Sequence, residues 1–179
     1  HVFARAVVDG PPAGTVRVYQ PDEPDDDSNL FGAVADAYYG NDPTQGFIDA
    51  AVVARRVRSR AITLDVAGRP GFTGVASSDA WVGPVAKVGA VTGYREATFS
   101  MTHDRVTIGT TEAVHVLEFR STADDAFARP GDSGSAVFTN DGAPRVIAML
   151  IAIADSRRRG LVVPLQRILD HFTCKLAVG

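Results

Sequence analysis

The chemistry legible in this chain of 179 residues concentrates in the run Arg129-Pro130-Gly131-Asp132-Ser133-Gly134-Ser135. A serine hydroxyl attacks a carbonyl only when a base takes its proton and fixed donors stabilise the oxyanion that forms. Gly131 has no side chain to block a tight turn, so its N–H and that of Ser133 can point to one spot beside the serine oxygen. Ser133 is therefore the candidate nucleophile and Gly131 a candidate oxyanion donor. The competing reading of the same residues is a glycine-rich hairpin turn without chemistry. A second candidate is Asp49, set in the otherwise apolar run Phe47-Ile48-Asp49-Ala50-Ala51-Val52-Val53. A carboxylate there must be desolvated, which is costly unless it accepts hydrogen bonds from a group such as an imidazole N–H. The alternative is a strand-end carboxylate facing water.

The elements that must position these residues are strands. Period-2 stretches rich in β-branched residues, separated by turn signals, predict a mostly β chain. The expected strands are 15–19, 31–38, 48–55, 62–66, 85–91, 97–102, 113–120, 135–139, 146–153 and 161–163. Arg129-Pro130 breaks the segment ahead of Ser133, and Ser135-Ala136-Val137-Phe138 resumes a strand directly after it. Pro164 suits the start of a helix, and Leu165, Ile168, Leu169 and Phe172 give it one apolar stripe. The acidic stretch 21–29 reads as a solvated loop. The glycine-rich stretch 68–83 reads as a linker between two strand groups. The expected organisation is thus residues 1–67, a linker over 68–83, and a second unit over 84–179.

Composition narrows the partners. A net charge of -3 and a pI near 5.8 offer no long-range attraction to a polyanion, which argues against nucleic acid. The longest apolar run, 146–154, is about strand length, so no spanning helix and no membrane are expected. The single cysteine, Cys174, leans toward a reducing, intracellular compartment. The opening residues carry no secretory pattern of basic start and apolar stretch. No ligand cluster with metal spacing is seen, and no cofactor is expected.

Arg-Pro-Gly-Asp-Ser-Gly-Ser-Ala-Val, 129–137, resembles the nucleophile segment of chymotrypsin-like (trypsin-like) serine peptidases of the bacterial and fungal type without disulfides. Lys87-Val88-Gly89-Ala90-Val91-Thr92-Gly93 resembles the strand that opens the second barrel in such enzymes. The segments 146–153 and 161–165 are similar to the last two strands that lead into the family's C-terminal helix. The resemblance implies an all-β fold of two six-stranded antiparallel β-barrels with a short C-terminal helix.

It also implies a Ser-His-Asp triad in the chain order His, Asp, Ser. Of His1, His103, His115 and His171, only His1 precedes Asp49, and His1-Val2-Phe3 resembles the segment at the catalytic histidine. The expected roles are His1 as base, Asp49 as the acid that orients it, Ser133 as nucleophile and Gly131 as oxyanion donor. His103, His115 and His171 are read as structural or surface residues. A histidine base at the first position leaves the first barrel incomplete, since three of its strands should precede that residue. A companion segment of about 40 or more residues is expected to complete it, because an open half-barrel leaves unpaired edges.

The implied function is a serine endopeptidase acting on a protein or peptide substrate. The alternative is an inactive or self-processed protease-fold domain that serves as a protein-binding module. By the resemblance, Phe127 falls at the base of the substrate side-chain pocket, with Asp124 and Asp125 close enough that a shift of register would make the pocket acidic. The residue matching Asp132 pairs with a new terminal amine in many relatives; here the resemblance leaves that role open, and Asp132 is read either as bracing the loop alone or as partnered by Arg129.

Overall fold

Alternation along the strands is what the backbone uses. The computed structural model describes residues 17–19, 30–55, 71–78, 81–154 and 156–177. Its strands are β1 (Arg17–Tyr19), β2 (Leu30–Asp42), β3 (Gly46–Arg55), β4 (Gly74–Val75), β5 (Pro84–Gly89), β6 (Gly93–Ile108), β7 (Thr111–Ser121), β8 (Ala136–Thr139), β9 (Arg145–Ile153) and β10 (Arg159–Pro164). One helix, α1 (Leu165–His171), follows β10 directly, with Pro164 at its N-cap.

The chain divides into two compact units, one holding Asp49–Thr63 with the residues up to Tyr39, the other Gly40–Ile48 with the residues from Leu64 onward. A three-stranded sheet runs in the order β1-β2-β3. In it Gly32 lies so close to the Ala54 carbonyl that no side chain would fit between them. In the second unit the order β10-β7-β6-β5-β8-β9 is closed by pairing of β9 with β10, which makes a six-stranded antiparallel barrel. The short β4 adds to it in parallel, with Gly74 opposite Arg145 and Val75 opposite Val146. Closure leaves no free edge among the six strands, so every backbone ladder has a partner.

The barrel interior is filled by the inward residues of each strand. Val85, Ala97, Leu117, Phe119, Val137, Ile147, Leu150 and Val162 form one buried cluster, joined by Phe127 and Ala128 from the loop after β7. Phe99 stacks edge-on against Phe119 at 6.0 Å between ring centroids.

Several expectations shift in detail. The expected strand at 97–102 extends to Ile108, because β6 and β7 form a long hairpin whose outer half pairs Arg105 with Val114 and Ile108 with Thr111. Alternation fades there because no residue of β6 after Phe99 is fully buried. β4 was read as linker, since two residues carry no periodic signal. The expected strand at 62–66 lies outside the described residues. Among the described residues no helix is long and apolar enough to cross a membrane.

Candidate functional site

The run around Ser133 forms the end of the loop between β7 and β8. Gly131 adopts φ 101° and Gly134 φ 88°, conformations that residues with a Cβ rarely enter. A side chain on Gly131 would also meet Val91 Cγ2 at 2.7 Å. The turn is closed by Asp132 N–H to the Arg129 carbonyl at 3.0 Å and Ser135 N–H to the Asp132 carbonyl at 3.0 Å. It is tied to β9 by Gly134 N–H to the Leu150 carbonyl at 2.8 Å and by Leu150 N–H to the Ser135 carbonyl at 2.9 Å. The N–H groups of Asp132, Gly134 and Ser135 are thus all engaged. Those of Gly131 and Ser133 donate to no acceptor among the described residues. Ser133 is exposed, and its hydroxyl reaches the Ile151 carbonyl over a long 3.4 Å. Two exposed, unspent N–H groups flank one fully buried aspartate, and that alternation sets up the site.

Asp132 has no exposed surface. Its Oδ1 accepts the N–H groups of Val91 at 2.9 Å and Thr92 at 3.2 Å. Its Oδ2 accepts the Thr92 hydroxyl at 2.7 Å, the Arg129 N–H at 3.0 Å and the Lys87 ammonium at 3.2 Å. Burial on its own would raise this carboxyl, but the Thr92 hydroxyl and the N–H groups of Val91, Arg129 and Thr92 override it and hold it well below the ordinary carboxylate range. Lys87 is also without exposed surface, and its ammonium donates to Thr92 Oγ1 at 2.7 Å. Burial pulls that ammonium below the usual lysine value, while the Asp132 carboxylate acts in the opposite sense. The Phe127 ring lies 5.5 Å from Nζ.

The expected pairing of Asp132 with the Arg129 side chain gives way to this arrangement: Arg129 contributes its backbone N–H, and the cation comes from β5. Sequence reading missed Lys87, Thr92 and Gly89. A signal existed, since Lys87 shares the inward face of β5 with Val85, and a lysine at an inward step requires a buried anion.

The other predicted residues are placed as follows. Asp49 lies in β3 and is 1% exposed, in keeping with its apolar setting, and burial raises its carboxyl. It belongs to the first compact unit and the Ser133 loop to the second. His1 lies outside the described residues. His103 Nε2 meets the buried Glu118 carboxylate at 3.0 Å, and His171 Nδ1 meets Asp42 at 3.0 Å. His115 takes φ 54° within β7, and its carbonyl accepts the Arg167 guanidinium at 2.7 Å. The rings of His103 and His171 thus each meet a carboxylate, while His115 is engaged through its backbone. Phe127 has no exposed surface and packs beneath Gly160, where an added Cβ would meet Phe127 at 2.8 Å and Leu150 at 2.8 Å. Asp124 points outward to Arg158 at 2.8 Å, and Asp125 to Arg95 at 3.0 Å. Among the described residues no group of three or more His, Cys, Asp or Glu is arranged to hold a metal ion.

Solved structures share this arrangement of strands. Protease A of Thermobifida fusca superposes with a TM-score of 0.66 at 21% identity, over 83% of this chain and 75% of that one. The fold is that of the chymotrypsin-like serine proteases. A Cellulomonas bogoriensis chymotrypsin (TM-score 0.65, 19% identity, 83% of this chain and 76% of that one) shares it. So does a Nocardiopsis protease (TM-score 0.64, 17% identity, 82% and 74%). No family profile and no curated protein sequence matches the chain. In this chymotrypsin-like fold the closed barrel carries the Ser133 loop at the start of β8, between β9 on one side and the β5–β6 turn on the other.

Proposed function

We propose that the protein is a serine endopeptidase that cleaves peptide bonds through an acyl-enzyme intermediate. The observation that carries this reading is the pair of unspent N–H groups on Gly131 and Ser133, held on a turn whose remaining N–H groups are all engaged. In this reading Ser133 Oγ attacks the scissile carbonyl carbon while the base, assigned to His1, takes the hydroxyl proton. The carbonyl oxygen becomes an oxyanion and accepts from the two free N–H groups. The tetrahedral intermediate expels the amine, which receives the proton from the imidazolium. Water, deprotonated by the same base, then releases the acid and restores the serine. Asp49, a carboxylate buried on an apolar strand, is assigned to orient the imidazole and stabilise its charged form.

Phe127, expected at the base of the substrate pocket, is wholly buried in the barrel core, and Asp124 and Asp125 are turned outward onto Arg158 and Arg95; an acidic pocket for an arginine or lysine side chain is disfavoured in this reading.

Labelling with a fluorophosphonate tests the function. The parent chain is expected to be labelled and Ser133→Ala is not; an unlabelled parent, or label surviving in the variant, refutes it. His1→Ala is expected to abolish turnover while leaving the fold intact.

A further inference from the structure

We infer that two hollows on the second unit, meeting at Arg167, form a docking groove for the carboxyl end of a peptide whose last residue is apolar. The groove goes beyond the peptidase reading and does not depend on it, because none of the residues that line it belongs to the Ser133 loop.

The first hollow has a volume of about 190 Å³ and is walled by Trp81, Val82, Phe99 and Leu117, with His115 and Thr102 also lining it. The second, of about 320 Å³, is lined by the polar residues Gln45, Ser77, Gln166 and Asp170. Ser78 and Arg167 line both, so a cationic residue stands where the hollows join. Every one of these residues belongs to the second unit.

The chemistry of the walls selects the occupant. A guanidinium matches a carboxylate through its planar fork of donors. The first hollow is smaller than the about 300–1,000 Å³ of pockets for drug-sized ligands, so it suits a single side chain. Its walls are mostly apolar, and a charged side chain set against them would lose hydration without compensation. The side chain must therefore be apolar, and the negative charge must come from the end of the chain. Val82 is 87% exposed, and covering it is favourable. The residues ahead of the last one would run along the second hollow, where Gln45, Ser77 and Gln166 suit a peptide backbone. Asp170 lies there too, engaged by the Gln166 amide at 2.7 Å.

The junction is also braced. Arg167 Nη1 donates to the His115 carbonyl at 2.7 Å, which ties α1 to β7. His115 holds φ 54° in the middle of a strand, a conformation that a residue with a Cβ rarely enters. Such strain persists only where the surroundings enforce it, and ligand clamps are among the places that do so. On the opposite wall the Trp81 indole N–H donates to the Gly83 carbonyl at 3.0 Å, and the Arg145 guanidinium lies 5.7 Å from its ring.

Trp81 is the single tryptophan and lines the apolar hollow, so its emission reads occupancy. The probe is N-acetyl-Ala-Ala-Leu, titrated as free acid and as C-terminal amide into the parent and into Ser133→Ala, which removes any turnover. The acid is expected to bind both proteins saturably, by fluorescence and by calorimetry, and the amide at least about tenfold more weakly. Arg167→Gln should weaken the acid about tenfold and leave the amide unchanged. Val82→Asp sets a repelling carboxylate on an exposed position, should weaken the acid about threefold or more, and decides the matter if Arg167→Gln does not fold. Four results overturn the inference: no saturable binding of the acid by either method, equal binding of acid and amide, an affinity unchanged in the folded variants, or an amide-capped probe with glutamate in place of leucine that binds as tightly as the acid.

Discussion

Gly89→Ala is the sharpest perturbation this fold offers. Gly89 closes β5 opposite Gly93, and a methyl on it would fall on the Asp132 carboxylate and within 2.5 Å of Lys87 Nζ. Neither neighbour is the loose end of an exposed chain, because both are buried and bonded to each other. The methyl must therefore either push β5 away from the Ser133 loop or separate the ions. Overpacking a core costs about 1–3 kcal/mol, and breaking a buried pair about 3–5 kcal/mol, so a loss of about 3 kcal/mol is expected. With a urea slope of about 2 kcal/mol/M, the midpoint falls by about 1.5 M. The fluorescence of Trp81, the single tryptophan, can follow the transition. Gly142→Ala is the control: an added Cβ there meets nothing within 4 Å and the backbone is not left-handed, so the change should be within about 0.5 kcal/mol. A Gly89→Ala midpoint within about 0.3 M of the parent would refute the packing of the Lys87–Asp132 pair against Gly89.

Three further outcomes are expected. Gly131→Ala forces a side chain into φ 101° against Val91 and should lower kcat on an ester substrate by about tenfold or more, with the protein still folded by circular dichroism. Asp132 is held low in the folded state, so its contribution to stability is complete above its unfolded value of about 4 and drains away as the pH falls below that. Urea midpoints measured from pH 6 down to pH 2 should decline accordingly, and Asp132→Asn should flatten the decline while lowering the plateau. Phe127→Ala removes a fully buried ring and should cost about 3–5 kcal/mol. Urea midpoints of parent and variant measure this; an unchanged midpoint would refute the packing of Phe127 in the barrel core.

How much was visible beforehand depended on whether the deciding contact was local. The turn at Ser133 was legible because Pro130 and Gly131 impose it within a few residues, whatever lies around them. The strands at β5, β7, β8 and β9 were legible because each is a short run rich in apolar and β-branched residues, most of which the barrel buries. Asp49 could be read as buried, since its apolar neighbours in β3 leave a carboxylate little access to water. The outer half of β6 and the two-residue β4 were not legible. The first is a hairpin arm in which no residue of β6 is fully buried, and the second exists only through its parallel pairing with β9, some 70 positions away in sequence.

Asp132 marks the boundary most clearly. From sequence, Asp132 could brace its own loop or pair with nearby Arg129. Only the tertiary structure chose Lys87, 45 residues away, because closing the barrel places β5 beside β8 and carries the β5–β6 turn under the Ser133 loop. Local backbone chemistry specified the turn that presents Ser133. Long-range strand order decided what holds that turn in place, because the free energy of a buried ion pair depends on which residues the fold desolvates together.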